Sequence, residues 1–276
     1  FEYPLARDKV RYKGEPVACV AAVDVETAQK AVDLIKFKYK ELPAYFTSQE
    51  AMAEGAVNIH DHRERNIERE VDYDLGEVDE GFEAADLVME ETFNCAEVAQ
   101  SQMEPHAAIA EYDPTRDFMT IHASTQVPYY GHLMLAKVLK MEESQIRMIK
   151  PFVGGGFGCR TECLNVELIC ALVARAAGGT VRIVISREET FITHRGRPET
   201  DVEMKIGLTK DGVITAVDFK AIQRGGAFSG YGIVTILYAG GMVFGLYDLP
   251  AVRYKGLRIL TNTPPCGAMR GHGVTN

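Results

Sequence analysis

The 276-residue sequence has no tryptophan, no stretch of 18 or more apolar residues and no Cys-x-x-Cys pair. The missing tryptophan excludes nothing, but the short apolar runs argue against a transmembrane helix. Even the most apolar run, residues 230–246, is interrupted by five glycines. The net charge of −9 is the opposite of the basic excess that nucleic-acid-binding proteins usually carry. We therefore expect neither a membrane nor a nucleic acid as a partner.

The six cysteines are dispersed and form none of the spacings typical of iron–sulfur clusters. Because no secretory signal precedes them, reduced thiols in a cytoplasmic protein are the preferred interpretation. Cys159, Cys163 and Cys170 fall partly on one helical face, so a metal site stays open beside ordinary core positions. His60 and His62 form a His-x-His pair that fits a solvated loop better than a metal site, since no third ligand is near.

The N-terminal residues predict a strand–helix–strand unit. Residues 16–23 form an apolar run suited to a buried strand, residues 26–35 have helical apolar spacing, and residues 36–41 alternate charged and aromatic side chains. Because the chain has no initiator Met and opens at Phe1 in the middle of a pattern, we expect a portion of a longer protein.

The rest of the chain alternates irregularly between helical and strand patterns, which predicts an α+β (mixed α/β) fold. We expect a small domain over residues 1–50, a polar linker over 51–79 and a second domain over 80–276. The elements predicted in the second domain are a hairpin over 107–112 and 118–123, a helix over 128–139, a strand over 145–149, a helix over 162–176, a strand over 180–186, a hairpin over 204–208 and 213–219, and a strand over 252–261.

A glycine-rich loop, Gly154-Gly-Gly-Phe-Gly158, joins a predicted strand to the most strongly patterned helix. Glycines allow positive φ and a close approach of a ligand to backbone N–H groups, and a helix N-terminus attracts anions. The loop has neither a Walker motif nor the dinucleotide fingerprint. From the pattern alone, a ligand-binding loop and a structural turn both remain open.

Two further features have a possible chemical role. Arg270 lies in a second glycine cluster, Gly267–Gly273, where its guanidinium is available to an oxyanion or simply exposed. Gln126 lies where a predicted strand passes into a helix, and its amide is either a donor to an oxo or carbonyl group or a solvated polar group. Without further information, the residues indicate two glycine-lined sites for an anionic ligand.

Taken together, these motifs resemble the xanthine oxidase (molybdenum hydroxylase) family. Residues 5–17 (LARDKVRYKGEPV) resemble the end of its small α/β hammerhead-type domain, and Met103–Ala108 with Ala110–Asp113 resemble the opening of its first molybdenum-cofactor-binding domain. Gln126, the Gly154–Gly158 loop and the segment Ala268–Gly273 follow in the family's order and close to its spacing. The resemblance runs along the whole chain.

By this resemblance, Gln126 would hydrogen-bond an oxygen ligand of molybdenum, and Arg270 would approach the cofactor. Four loop residues would lie against the pterin dithiolene and the metal through their backbone: Gly155, Gly156, Phe157 and Gly158. The metal would be held by the dithiolene, with no protein side chain as its ligand. Glycine N–H groups and an arginine suit an oxo-metal centre and a phosphate-bearing pterin.

The resemblance also implies what the enzyme needs beyond these residues. The family's catalytic Glu and most pterin-nucleotide contacts would lie beyond Asn276, in remaining molybdenum-domain sequence or another subunit. The cofactor would be molybdopterin with molybdenum, in the cytosine dinucleotide form. An iron–sulfur subunit with [2Fe-2S] clusters and an FAD subunit, or equivalent segments, would complete a dimer of heterotrimers.

The substrate is narrowed by departures from the purine-oxidising members. Those carry an acidic substrate contact where this chain has Arg160-Thr161, an Arg where it has Tyr238, and a Phe where it has His272. Three segments, Glu189–Pro198, Gly230–Tyr238 and Thr263–Gly273, are instead similar to the 4-hydroxybenzoyl-CoA reductases, which remove a phenolic hydroxyl from an aromatic CoA thioester.

In that interpretation Tyr238 and His272 would be catalytic, facing the aromatic ring as proton donors, although Tyr238 is also compatible with simple core packing. The sequence Glu104-Pro-His-Ala departs from these reductases and is more typical of the wider family. Three hypotheses follow: a molybdenum enzyme acting on an aromatic CoA thioester, a molybdenum hydroxylase acting on an aldehyde or N-heterocycle, and a non-catalytic ligand-binding or assembly protein.

Overall fold

The computed structural model describes residues 2–63 and 65–274. Phe1, Glu64, Thr275 and Asn276, which belong to the predicted domains and linker, lie outside the described residues. The elements in chain order are α1 Val25–Asp33, α2 Ser48–Met52, β1 Ile67–Leu75, α3 Val78–Glu83, β2 Leu87–Cys95, β3 Ala107–Asp113, β4 Phe118–Ala123, α4 Pro128–Leu139, β5 Ile146–Ile149, α5 Asn165–Ala177, β6 Thr180–Val184, α6 Arg187–Ile192, β7 Thr200–Leu208, β8 Ile214–Gly226, α7 Thr235–Leu246 and β9 Val252–Leu260.

The chain folds into two compact units, each built from two chain segments. Unit 1 contains Phe1–Pro43 and Gln100–His194, and unit 2 contains Ala44–Ala99 and Arg195–Asn276. Helices and strands mix in both, so the predicted α+β class is confirmed. No helix among the described residues is both long and apolar enough to span a membrane.

Unit 1 is built around a four-stranded sheet in the order β5-β4-β3-β6. Strand β4 alternates buried and half-buried residues, with Met119 and Ile121 fully buried. Helices α4 and α5 cover this face through Leu135, Leu168 and neighbouring apolar side chains. Gly178 ends α5 in the left-handed conformation (φ 68°), where glycine carries no Cβ penalty. The loops that follow β4 and β5 carry the candidate site of this unit.

Unit 2 is built around a five-stranded sheet in the order β1-β9-β8-β7-β2, in which only β8 and β9 pair in parallel. Helix α7 packs on this sheet, and the buried Tyr254 of β9 donates its hydroxyl to the Ile236 carbonyl at 2.6 Å. A Cβ at Gly240 would lie 2.3 Å from the Tyr254 ring, so glycine lets the helix approach the sheet this closely. The C-terminal glycine cluster follows β9.

Several local predictions are confirmed within a few residues: the β3–β4 and β7–β8 hairpins, α4, β5, α5, β6 and β9. Two are wrong, because residues 16–23 and 36–41 form no strand in the described part of the chain. An apolar or alternating run is compatible with a strand but does not suffice to form one. A strand also needs a neighbouring strand with which its backbone can form hydrogen bonds.

The linker predicted over residues 51–79 is also wrong where β1 crosses it. Residues 67–75 pair with β9 as an edge strand of the five-stranded sheet. Most charged side chains of β1 face solvent, while Glu68 and Val71 are buried. Because an edge strand with one covered face needs few apolar residues, its sequence looked like a polar loop.

Candidate functional site

The Gln126 side chain is anchored by its oxygen to the glycine loop of unit 1. Its Oε1 accepts the backbone N–H of Gly158 at 3.1 Å and that of Arg160 at 3.4 Å. Its own backbone N–H donates to the Arg160 carbonyl at 3.0 Å. With the amide oxygen held by the loop, the exposed side chain keeps its Nε2 hydrogens for another acceptor. The sequence-predicted partners Gln126 and Gly158 are therefore in direct contact.

The loop backbone adopts conformations that favour glycine. Gly155 and Gly158 have φ values of 109° and 106°, and Phe157 also lies in the left-handed region at 55°. A Cβ at Gly156 would fall 2.5 Å from the Gln126 Oε1. In the described part of the chain, the N–H groups of Gly155 and Gly156 have no hydrogen-bond acceptor. These two half-buried N–H groups are further donors for an anionic or oxo group.

Arg160, which the resemblance predicted to replace an acidic substrate contact, is buried at 1% exposure. Its guanidinium donates to the Ser124 carbonyl at 2.7 Å and to the Glu104 carbonyl at 2.9 Å. The next residue, Thr161, donates its hydroxyl to the Gly158 carbonyl at 2.8 Å. Both side chains therefore support the loop, and Arg160 does not present its charge to solvent.

In unit 2, Arg270 lies on the irregular segment after β9. Its side chain is exposed, and its carbonyl accepts the Arg197 guanidinium at 3.2 Å. Upstream in the same segment, the buried Arg258 donates to the Cys266 carbonyl at 2.7 Å. One contact thus holds the segment just before the glycine cluster, and the other holds it within the cluster.

Tyr238 and His272 are brought together within unit 2. Their rings meet edge to face at 5.3 Å, and Thr235 shares a hydrogen bond of 2.5 Å with the His272 Nε2. A second tyrosine that sequence reasoning missed, Tyr231, also contacts His272, with a ring-centroid distance of 5.1 Å. The backbone turns closely here, because a Cβ at Gly273 would lie 2.5 Å from the Tyr238 Cβ.

Neither tyrosine belongs to the buried core of unit 2, since Tyr231 and Tyr238 are 39% and 38% exposed. The alternative of core packing for Tyr238 is therefore wrong for the unit taken by itself. Burial, with a smaller contribution from Arg258, lowers the pKa of His272 below its ordinary value of 6.5. The imidazole is thus neutral at neutral pH, with one ring nitrogen bound to Thr235 and the other available as a donor or acceptor.

The cysteines and the His-x-His pair have structural explanations. All six thiols are free, and burial raises the pKa of Cys159 and of Cys170 to about 11, which disfavours the thiolate that binds metals. The solvated-loop interpretation of the His-x-His pair is wrong for His60, which is buried, bonds the Ala227 carbonyl at 2.7 Å and packs against Phe228. Across residues 2–63 and 65–274, no cluster of three His, Cys, Asp or Glu side chains has the geometry to hold a metal ion.

The donors of unit 1 fit a ligand with oxo or other anionic oxygens, since they consist of N–H groups without a competing carboxylate among them. The signal for Gln126 and the loop was present in the sequence. Sequence reasoning did not assign four residues to either cluster: Glu104, Arg160, Tyr231 and Thr235. Their roles depend on contacts at least 20 residues apart in the chain, or on a helix whose glycines make it hard to predict.

Two protein-family models match the chain. Residues 59–276 match the molybdopterin cofactor-binding domain, and residues 1–43 match the a/b hammerhead domain of aldehyde oxidase and xanthine dehydrogenase. The first match covers more than half of the sequence and contains every predicted site residue.

Named relatives are similar over nearly the whole chain. The nicotinate dehydrogenase large molybdopterin subunit of Eubacterium barkeri is 35% identical over 98% of this chain and 63% of its own length. The putative xanthine dehydrogenase molybdenum-binding subunit of Escherichia coli is 32% identical over 96% of this chain, and the nicotine 6-hydroxylase large subunit of Paenarthrobacter nicotinovorans is 30% identical over 98%. The chain spans 35% and 34% of those two relatives.

Solved structures agree with these matches. Quinoline 2-oxidoreductase from Pseudomonas putida 86 superposes with a TM-score of 0.92 at 31% identity, covering 98% of this chain and 35% of its own. Aldehyde oxidoreductase from Desulfovibrio gigas also gives 0.92, at 26% identity, covering 98% of this chain and 29% of its own. The predicted hammerhead end and molybdenum-cofactor-binding domain are thereby confirmed, and the chain belongs to the xanthine dehydrogenase and aldehyde oxidase family of molybdopterin-binding proteins.

Proposed function

We propose that this chain forms part of the molybdenum-binding subunit of a hydroxylase that acts on an aromatic N-heterocycle. The observation that carries the proposal is the fixed Gln126 amide. Because Gly158 and Arg160 occupy its oxygen, only its N–H groups are left to face a ligand. A bound molybdenum–pterin group supplies two-electron redox chemistry, and its oxo oxygen is the acceptor that such a donor requires.

In this proposal the residues of unit 1 bind and orient the cofactor. The N–H groups of Gly155 and Gly156 donate beside the Gln126 Nε2. The positive φ of Gly155 favours glycine, which has no Cβ to obstruct a ligand near the backbone. Phe157 and Gly158 complete the loop against the pterin. In unit 2, Arg270 contributes an exposed guanidinium for an anionic oxygen of the cofactor.

The substrate class is supported by the aromatic cluster of unit 2 and by the relatives. Tyr231 and Tyr238 both contact a neutral His272, and all three rings are at least partly accessible. Such a surface suits stacking and edge contacts with a flat heterocycle, and the imidazole exchanges a hydrogen bond with a ring nitrogen. Nicotinate, nicotine and quinoline are the substrates named for three of the similar proteins.

A second candidate is reductive removal of the hydroxyl of 4-hydroxybenzoyl-CoA or a related aromatic CoA thioester. The Tyr238–His272 contact favours it, because a phenol and an imidazole placed together are able to donate protons to a reduced ring. Oxidation of an aldehyde remains an alternative within the family, and the name of the Desulfovibrio gigas neighbour supports it.

The complete enzyme would need more than this chain. We propose molybdopterin in the cytosine dinucleotide form as the cofactor, and partner subunits or segments that carry [2Fe-2S] clusters and FAD. The base chemistry of the reaction falls to a glutamate of the remaining molybdenum-domain sequence or subunit, since the cluster of unit 2 contains a neutral imidazole in place of a carboxylate.

Metal and pterin analysis of the purified complex tests the enzyme proposal first. We expect about one molybdenum and one pterin per copy of this chain, with the molar ratio following from a single cofactor-binding domain. A complex without either would support the non-catalytic ligand-binding or assembly alternative and would end the proposal.

Substrate assays then separate the remaining candidates. With nicotinate, nicotine or quinoline in H₂¹⁸O, we expect a hydroxylated heterocycle that carries the heavy oxygen. Aldehyde oxidation without heterocycle turnover would indicate the aldehyde alternative. Formation of benzoyl-CoA from 4-hydroxybenzoyl-CoA under anaerobic conditions, with reduced viologen as the electron donor, would indicate the reductase and contradict the hydroxylase.

A further inference from the structure

Glu104, on the segment before β3, contacts the first glycine of the loop from both its side chain and its backbone. Its Oε2 accepts the Gly154 N–H at 2.7 Å, and its own N–H donates to the Gly154 carbonyl at 3.2 Å. The two residues are so close that a Cβ at Gly154 would lie 2.6 Å from the Glu104 Cβ. The start of the loop is therefore held against Glu104 at three points.

The same carboxylate oxygen reaches the far end of the loop and the end of β4. It accepts the Ser124 hydroxyl at 2.7 Å and lies 3.2 Å from the Arg160 guanidinium. Arg160 is 1% exposed and also donates to the carbonyls of Ser124 and Glu104. One half-buried carboxylate thus joins residue 154, residue 160 and the strand end that carries Gln126.

This arrangement has an electrostatic reason. The Arg160 guanidinium is removed from solvent and needs an anion nearby, and Glu104 is the carboxylate within ion-pair distance of it in the described part of the chain. Charge-assisted hydrogen bonds are shorter and stronger than neutral ones, so they resist the loop's tendency to open. Glycines contribute no side-chain contacts of their own, which leaves these bonds to define the loop's shape.

We propose that Glu104 is a positioning residue, which, through Gly154, Ser124 and Arg160, sets the directions of the Gly155, Gly156 and Gln126 donors. The effect of Glu104 on cofactor binding rests on the proposed function, whereas its effect on the conformation of the loop does not. The contacts of the Glu104 carboxylate that carry this role are those with Gly154, Ser124 and Arg160. It acts by removing alternative conformations of the loop, so that the donors need not reorganise when a ligand binds.

Hydrogen exchange in the complete complex, purified from cells unable to make molybdopterin, tests the loop. We expect Glu104→Ala to raise the exchange rates of the hydrogen-bonded amides of Gly154, Gly158 and Arg160 about a hundredfold and Glu104→Gln about tenfold, since glutamine keeps an acceptor but loses the charge. The control is Glu111→Gln, an exposed carboxylate on β3 whose partner is the half-exposed His122. Its loop should exchange at the wild-type rate.

Activity and spectroscopy in the cofactor-loaded complex test the consequence. We expect Glu104→Gln to lower kcat about tenfold at nearly unchanged KM and to alter the Mo(V) electron paramagnetic resonance signal, because misplaced donors act on the metal's oxygen. Glu111→Gln should leave the signal and kcat unchanged.

The outcomes separate the two proposals. Wild-type exchange in both Glu104 variants overturns the positioning role, whatever the enzyme's activity. Faster exchange, together with a complex that lacks molybdenum even when it is purified from cells that make molybdopterin, supports the positioning of the loop and refutes the proposed function. If Glu104→Ala fails to fold, the Glu104→Gln variant decides, because it preserves the side chain's volume and one acceptor.

Discussion

The buried pair Glu68–Arg258 in unit 2 allows a quantitative prediction. Both side chains are 0% exposed, and the Arg258 Nε lies 2.7 Å from the Glu68 Oε2. The guanidinium also donates to the carbonyls of Gly225 and Cys266 at 2.9 and 2.7 Å. Arg258→Met would leave a carboxylate and two carbonyls buried without this partner. We expect a loss of about 3–5 kcal/mol in the free energy of unfolding.

The same sheet contains a matched control. Lys255 and Glu70 form an ion pair of 3.0 Å across the same two strands, β9 and β1, but both side chains are more than 40% exposed. Because exposed pairs contribute about 0–1 kcal/mol, Lys255→Met should change the free energy of unfolding by less than about 1 kcal/mol. The two variants remove the same kind of bond from the same strands and differ chiefly in burial.

The double variant Glu68→Met/Arg258→Met removes both charges. The Cys266 carbonyl then loses the Arg258 donor, at a cost of about 1 kcal/mol, whereas the Gly225 carbonyl still accepts the Cys266 N–H at 3.0 Å. We therefore expect the double variant to lie about 1 kcal/mol below wild type and above Arg258→Met alone. Urea denaturation of the four proteins measures these differences, and the coupling energy follows from the double-mutant cycle. Equal losses in Arg258→Met and Lys255→Met, or a double variant less stable than Arg258→Met, would refute the reasoning.

Three further results are expected. Burial raises the pKa of Glu167 from 4.5 to about 7, so the free energy of unfolding of the wild-type protein should fall by about 3 kcal/mol as pH rises from 4.5 through 7. Denaturation of Glu167→Gln at several pH values should show no such fall. The same pH profile in both proteins would contradict the prediction. Gly156→Ala should displace the Gln126 amide, on which its Cβ would fall, and release cofactor measured as molybdenum per chain; full retention would contradict the fit of the loop. Gln126→Ala and Arg270→Ala should each lower turnover of the complete complex about tenfold or more, and unchanged turnover in both would contradict their roles.

The residues of the glycine loop and Gln126 could be predicted individually from the sequence, but the side chains that hold the loop in place could not. Gln126 and Gly154–Gly158 were recognisable from residue type and order, and the structure places Gln126 in contact with Gly158. The roles of Glu104 and Arg160 depend on contacts made 50 and 56 residues apart. An Arg after a glycine loop looks available to a substrate until the fold buries it.

Within the fold, the sequence by itself determined the elements whose cause is local. Helix α4 begins at Pro128 and ends where Lys140 takes the left-handed conformation, and α5 ends at Gly178. These signals lie within a turn of the element they define.

Only the tertiary structure decided which polar or glycine-rich segments join a sheet or a helix. Strand β2 is exposed along almost its whole length and becomes a strand because β7, more than 100 residues away, pairs with it. Helix α7 contains several glycines that would weaken an isolated helix, but Gly240 allows the contact with Tyr254 that holds it on the sheet. Local propensity is worth tenths of a kcal/mol per residue, whereas pairing and burial across the chain are worth several, so the long-range contacts prevail in these segments.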